Sequence, residues 1–319
     1  QGESVRGLEL SRRCLGLAEA TQDAGSLAEA CYTVGVLASC CGNLREAVSH
    51  LENGVCHASR ANRSVSLSWG LLSGTVFACG LAEALQLLGR VGEAVKVAEE
   101  GLRYTRESKH LLSLGGSLTV GGRLPRFRRE LEIVRAQAEE APALSEENGF
   151  AEWLHWGRFH HGWALAELGQ LQERVAEMET GVAGFRRLGG VPMQQYAIAL
   201  LAQAYVRMGR TDEALGMLNE ALAHIERTGE KVEQAEMLRL KGELLLMRDG
   251  KGIAETESCF RAALEVARAQ EAKWWELRTS VSLARLLRDT NRRDEARKML
   301  AEIYNWFTEG FDLPDLKEA

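Results

Sequence analysis

One short pattern recurs along the chain and fixes what it can fold into. A stretch rich in Leu and Ala ends at Gly plus a polar residue, and Glu-Ala opens the next stretch. The clear copies are Gly42-Asn43-Leu44-Arg45-Glu46-Ala47, Gly89-Arg90-Val91-Gly92-Glu93-Ala94 and Gly209-Arg210-Thr211-Asp212-Glu213-Ala214. Gly169-Gln170-Leu171-Gln172-Glu173-Arg174 and Asn291-Arg292-Arg293-Asp294-Glu295-Ala296 are variants. Their sixth positions are spaced by 47, 80, 40 and 82 residues, or one, two, one and two units of about forty. Each part has a physical task. Gly accepts the left-handed conformation that closes a helix, the acidic residue sits at the positive N-terminal end of the next helix, and Ala lets two helices approach.

The pattern therefore predicts an all-α chain of antiparallel helix pairs, and the composition agrees. Thirty-two glycines beside four prolines suit helices that end on glycine better than a sandwich or barrel. With 45% hydrophobic and 26% charged residues, the chain is expected to fold rather than stay disordered. A net charge of -6 gives no electrostatic footprint for general nucleic-acid binding.

The best copy is Gln195 to Leu222, with Leu201, Ala202 and Tyr205 on one face, followed by Gly209, Ala214, Leu218 and Ala221. These large and small positions closely resemble the tetratricopeptide (TPR) pattern. That resemblance implies an α-solenoid wound into a right-handed superhelix, one module over residues 1–319. The expected units are a leading helix at 5–21 and pairs near 26–60, 66–107, 108–149, 152–189, 193–229, 232–270 and 273–310. The unit at 108–149 departs most, because Gly115-Gly116, Gly121-Gly122 and Pro125 interrupt it and no Glu-Ala follows. Its second helix, Arg126 to Ser145, keeps apolar spacing in Leu131, Val134 and Ala138, so the unit reads as a distorted repeat, a bend or weak point, and without a G-x-x-x-x-G-K-[ST] motif its glycine pairs do not read as a phosphate loop.

A narrower resemblance covers roughly residues 145–319. It is carried by His161-Gly162-Trp163-Ala164-Leu165-Ala166-Glu167-Leu168-Gly169-Gln170, by Leu238 to Leu246, by Trp275 to Leu286 and by the tail Tyr304 to Asp312 with Asp315 to Ala319 behind it. These look like the C-terminal TPR region of large bacterial signalling proteins in which a class III adenylate/guanylate cyclase domain and a predicted ATPase module precede the repeats. The resemblance implies a fragment of a longer polypeptide, with upstream domains among its partners and their chemistry outside this segment. A missing initiator Met points the same way.

The histidine, tryptophan and cysteine clusters read as packing. His155, His160 and His161 cluster with Trp153, Trp156 and Trp163, yet on a helix they point to different faces, so no metal site is expected. Cys56-His57 has no third member, and no catalytic residue or cofactor is expected. The seven cysteines (14, 31, 40, 41, 56, 79 and 259) include no C-x-x-C pair and read as reduced core thiols of a cytoplasmic protein. Ser64 to Ala82 lacks charge but is diluted by Ser, Thr and Gly, which argues against a membrane span.

In TPR arrays the first helix of each pair lines the concave groove. Register then places Glu29, Tyr32, Val36, Ser39, Val76, Cys79, Glu83 and Gln86 there, with Trp156, Phe159, Trp163, Ala166, Tyr196, Ala199, Gln203 and Val206 at the centre and Glu236, Arg239, Glu243, Leu246, Arg278, Val281, Arg285 and Arg288 toward the C-terminus. An aromatic centre with arginines beyond it suits a protein or peptide partner with carboxylates. Glu236 and Glu243 could instead neutralise the arginines. The expected function is a non-enzymatic protein-interaction module, with a wide open groove. The alternative is a small-ligand sensor, with a closed pocket of about 300 to 1,000 Å³, that passes a curvature change to an upstream domain.

Overall fold

The structure, a computed structural model, describes residues 2–61, 70–188, 194–249 and 252–319. The leading helix is α1 (Glu3–Thr21). The pairs are α2 (Ala24–Cys40) with α3 (Leu44–Arg60), and α4 (Ser73–Leu87) with α5 (Val91–Ser108). The next unit is split into α6 (Leu111–Thr119), α7 (Arg123–Phe127) and α8 (Leu131–Asn148). Then come α9 (Ala151–Leu165) with α10 (Leu171–Arg187), and α11 (Gln194–Arg207) with α12 (Thr211–Thr228). The last pairs are α13 (Gln234–Asp249) with α14 (Ile253–Ala269), and α15 (Lys273–Asp289) with α16 (Arg293–Tyr304), followed by a short α17 (Pro314–Glu318). This is an all-α, TPR-like solenoid.

The turns show why the recurring pattern has its form. Gly209 sits at φ +75°, and the bonds from Gly209 N to Val206 O (2.9 Å) and Arg210 N to Tyr205 O (2.9 Å) absorb the last carbonyls of α11. Asn291 takes the same place at φ +63°, with Arg292 N to Leu287 O at 2.8 Å, because Asn tolerates the left-handed region better than other side chains. The small residue after the acidic one is fully enclosed: Ala47, Ala94 and Ala214 are each 0% exposed. The acidic residue also pairs with the turn's arginine, at 2.6 Å for Arg90–Glu93 and 2.7 Å for Arg210–Glu213. The variant at Gly169 ends differently, with a π-helical turn (Ala166–Gln170) leading into α10.

The array comes round on itself. Lys231 N and Val232 N both donate to Cys40 O, at 2.7 and 3.1 Å, so the α2–α3 turn stacks on the α12–α13 loop. Gln270 Nε2 donates to Lys231 O at 2.7 Å, with its side chain lying against Gly42. Farther along, Gly92 N donates to Glu309 Oε1 at 3.1 Å, and Trp306 packs on Gly89. The first two pairs therefore touch the last two.

All seven cysteines are free; Cys31 and Cys40 are buried as a core reading requires, but Cys14 and Cys56 are exposed. Among the described residues no helix is long and apolar enough to cross a membrane. The uncharged stretch from Ser64 falls partly outside the described residues.

Candidate functional site

The distorted repeat builds the site. Its first helix stops after nine residues, and the chain turns through Gly121-Gly122 and lays α7 inside the concave face. Arg123, Leu124, Arg126 and Phe127 are all buried there. The region expected to be a weak point is instead a plug, and the lumen is divided rather than open along its length.

Arg123 locks the plug in place. Its guanidinium meets Glu83 of α4 at 2.6 Å and Glu233, just before α13, at 2.9 Å, and all three side chains are almost wholly buried. Burial pushes both carboxyls up, Glu233 to about 7, with Arg123 acting in the opposite direction. Arg126 lies flat over Tyr196 at 3.7 Å and near Phe127 at 4.3 Å. Phe127 in turn stands edge-on to Trp275 at 5.5 Å.

On one side of the plug lies an apolar pocket of about 470 Å³ between α2, α4, α6 and α9. Tyr32, Val36, Val76, Leu112, Trp153 and Trp156 wall it, and Glu83 and Arg123 form its polar end. Exposed Glu152 also borders it. Tyr32 is held edge-on to Phe77 at 5.5 Å, which fixes its ring.

On the other side are two continuous polar cavities of about 260 and 200 Å³ that share Arg129, Gln203, Arg278 and Asp315. The residues expected at the site distribute as follows. Trp156 lines the apolar pocket, Trp163, Tyr196, Gln203 and Arg278 line the larger polar cavity, and Arg239 and Arg285 line the smaller. Phe159 is fully buried against Trp156 and His160 and lines none of the three. Arg288 lies apart from them, exposed and paired with Asp289 at 2.8 Å.

The C-terminal arginines meet the chain's own carboxylates. Arg239 pairs with Glu236 at 2.7 Å and with Glu243, and Arg278 pairs with Glu236 at 2.8 Å. Burial would raise the Glu236 carboxyl, but Arg239 and Arg278 outweigh it and hold the group below its usual range. Helix α17 adds Asp315, within 3.2 Å of Arg129 and 3.6 Å of Arg278, and Glu318, which pairs with Arg285. The histidines diverge: His155 stands edge-on to Phe185, His161 contacts Glu177 at 2.8 Å, and His160 is buried.

Sequence reasoning missed Arg123 and Arg126. The available signal was four arginines within Arg123-Leu124-Pro125-Arg126-Phe127-Arg128-Arg129, in the one unit that broke the repeat.

Comparison with known proteins agrees with the repeat architecture. Residues 197–233 and 75–100 each match a tetratricopeptide repeat model. An uncharacterised protein of Rhizobium meliloti (strain 1021) is 23% identical over 197 residues, which is 61% of this chain and 19% of that protein. The chain thus corresponds to less than a fifth of that relative's length. The apo form of RapI has a TM-score of 0.56 at 13% identity, covering 82% of this chain and 92% of RapI. A Rap protein complexed with competence and sporulation factor has a TM-score of 0.63 at 12% identity, covering 87% and 76% of the two chains. The Rap conjugation gene regulator of the plasmid pLS20, in complex with the Phr* peptide, scores 0.61 at 14% identity and covers 86% and 73%. At these identities the likeness is one of fold. Together with the matched segments it supports a TPR-like repeat array.

Proposed function

We propose that the chain is a non-enzymatic docking module whose lumen takes an extended peptide segment of a partner protein. The observation that carries this is the apolar pocket of about 470 Å³ on the concave side, walled by Tyr32, Val36, Trp153 and Trp156 and ending at Glu83 and Arg123. A segment with one or two large apolar side chains would fill it. Two of the structural neighbours are complexes, one with the Phr* peptide and one with competence and sporulation factor, which supports the reading. The parent protein is read as a cytoplasmic bacterial signalling protein, with this array as the regulatory arm beside upstream cyclase and ATPase domains. The match to a fifth of a much longer relative is consistent with that.

The test is selection of a displayed peptide library on the purified chain. Selected peptides are expected to carry paired apolar side chains and to lose affinity with Val36→Glu, which places a charge in the pocket wall. Peptides whose binding ignores Val36→Glu would overturn the reading. The pocket volume also favours a second reading, a small-ligand sensor, since it lies within the range of small-molecule sites. Failure to select any peptide, together with a small molecule that copurifies and is displaced by Val36→Glu, would favour that one.

A further inference from the structure

Among the arginines that line or border the lumen, the ion pairs are nearly complete. Arg123 takes Glu83 and Glu233, Arg239 takes Glu236 and Glu243, Arg278 takes Glu236 and Asp315, and Arg129 takes Asp315. Arg207 takes Glu167, and Arg285 takes Glu318. Among the described residues Arg126 is the exception: it is 7% exposed, has no carboxylate within ion-pair distance, and its Nε and Nη2 have no acceptor. The Tyr196 hydroxyl, on the ring under that guanidinium, is also buried without a partner. Both residues line the cavity of about 260 Å³ behind α7. A guanidinium keeps its proton in a protein, so burial there leaves a cation that rests on the rings of Tyr196, Phe127 and Trp163 and feels Glu233 and Glu83 only from beyond ion-pair distance.

We infer that this cavity is a subsite for a monocarboxylate bearing an aromatic or flat apolar group, with Arg126 gripping both carboxylate oxygens and the Tyr196 hydroxyl donating to one of them. The carboxylate supplies the acceptors that these orphaned donors lack. The ring surfaces of Phe127, Trp163 and Trp275 supply the apolar walls. Glu233 and Glu236 also line the cavity and disfavour a doubly charged phosphate. The carboxylate belongs either to a free small acid or to the C-terminus of a peptide. The inference deepens the reading of the lumen as a docking site, and it concerns the side of the plug away from the apolar pocket.

Isothermal titration calorimetry of the wild-type chain with phenylacetate, phenylacetamide, phenyl phosphate and the tripeptide Ala-Ala-Phe, with and without a C-terminal amide, tests it. At least one acid is expected to bind saturably and about 10- to 100-fold more tightly than its own amide, in line with a hydrogen bond to a charged group. Tighter binding of Ala-Ala-Phe than of phenylacetate assigns the source to a peptide C-terminus, and the reverse assigns it to a free acid. Arg126→Gln should remove the preference for acid over amide, while Arg187→Gln, on an exposed stretch of α10, leaves it intact. Should Arg126→Gln unfold by circular dichroism, the acid-against-amide comparison on the wild type still decides. Equal affinity for acid and amide, tighter binding of phenyl phosphate, no acid binding up to ~10 mM, or an unchanged preference in folded Arg126→Gln would each overturn the inference. Peptide binding sensitive to Val36→Glu would survive any of these results, so failure here is distinct from failure of the docking reading.

Discussion

Arg123 and Glu233 meet at 2.9 Å inside the superhelix, joining a five-residue helix of the third unit to the start of the sixth. With Glu83 on the other side of the guanidinium, this contact ties together three elements far apart in the chain and holds α7 in the lumen. Removing the arginine leaves two buried carboxylates without their partner. Arg123→Met is therefore expected to destabilise the fold by about 3 to 5 kcal/mol in urea unfolding. The triple variant that adds Glu83→Gln and Glu233→Gln should recover a large part of the loss. A neutral single variant would show that the contact does not hold the plug.

His160 sets a pH dependence. Burial, reinforced by Arg126 and Arg123, pushes its pKa down to about 3, so the folded state keeps it neutral while the unfolded chain titrates near 6.5. The unfolded state binds more protons between these values, so this residue's share of stability is intact above pH ~6.5 and is lost as pH falls toward ~3. His160→Phe removes the titration. In acid unfolding followed by circular dichroism, its midpoint should lie at lower pH than that of the wild type, and a midpoint at higher pH would contradict this.

Ala214 is fully enclosed where α11 and α12 meet. Ala214→Leu overpacks that contact and should cost roughly 1 to 3 kcal/mol. A thermal midpoint equal to that of the wild type would place Ala214 outside the helix contact.

Much of this was legible in the sequence because it is local. The Gly-polar-Glu-Ala turns at Gly42, Gly89 and Gly209 encode a helix end, a left-handed residue and an enclosed Ala within a few positions, and the structure puts each where the spacing predicts. Asn291 in place of Gly did not disturb the reading, since it adopts the same conformation. The plug was not legible. Gly115-Gly116, Gly121-Gly122 and Pro125 erase the apolar period, and what buries Arg123 lies on α4 and before α13, far away in sequence. Helix α17 escaped for a similar reason: Asp315 and Glu318 are recognisable only once Arg129, Arg278 and Arg285 are seen facing them.

Those tail contacts separate two arginines that look alike in sequence. The Arg285 side chain is 49% exposed and pairs with Glu318, so Arg285→Gln should change stability by only about 0 to 1 kcal/mol. Arg278 is 19% exposed and contacts the buried carboxylates of Glu236 and Asp315, so Arg278→Gln should cost more, about 1 to 3 kcal/mol. Equal effects in thermal unfolding would mean that the contacts of Arg278 with Glu236 and Asp315 contribute no more than the exposed Arg285–Glu318 pair.

The most direct test of lumenal docking is a photo-crosslinking map. A selected peptide carrying benzoylphenylalanine at an apolar position is irradiated on the purified chain, and the adducts are located by mass spectrometry. The account predicts adducts on the pocket-lining segments, at Tyr32, Val36, Trp153 or their neighbours, and their loss in Val36→Glu. Adducts confined to second helices that do not line the pocket, such as α5, α12 or α14, would place the partner on the opposite face and contradict it.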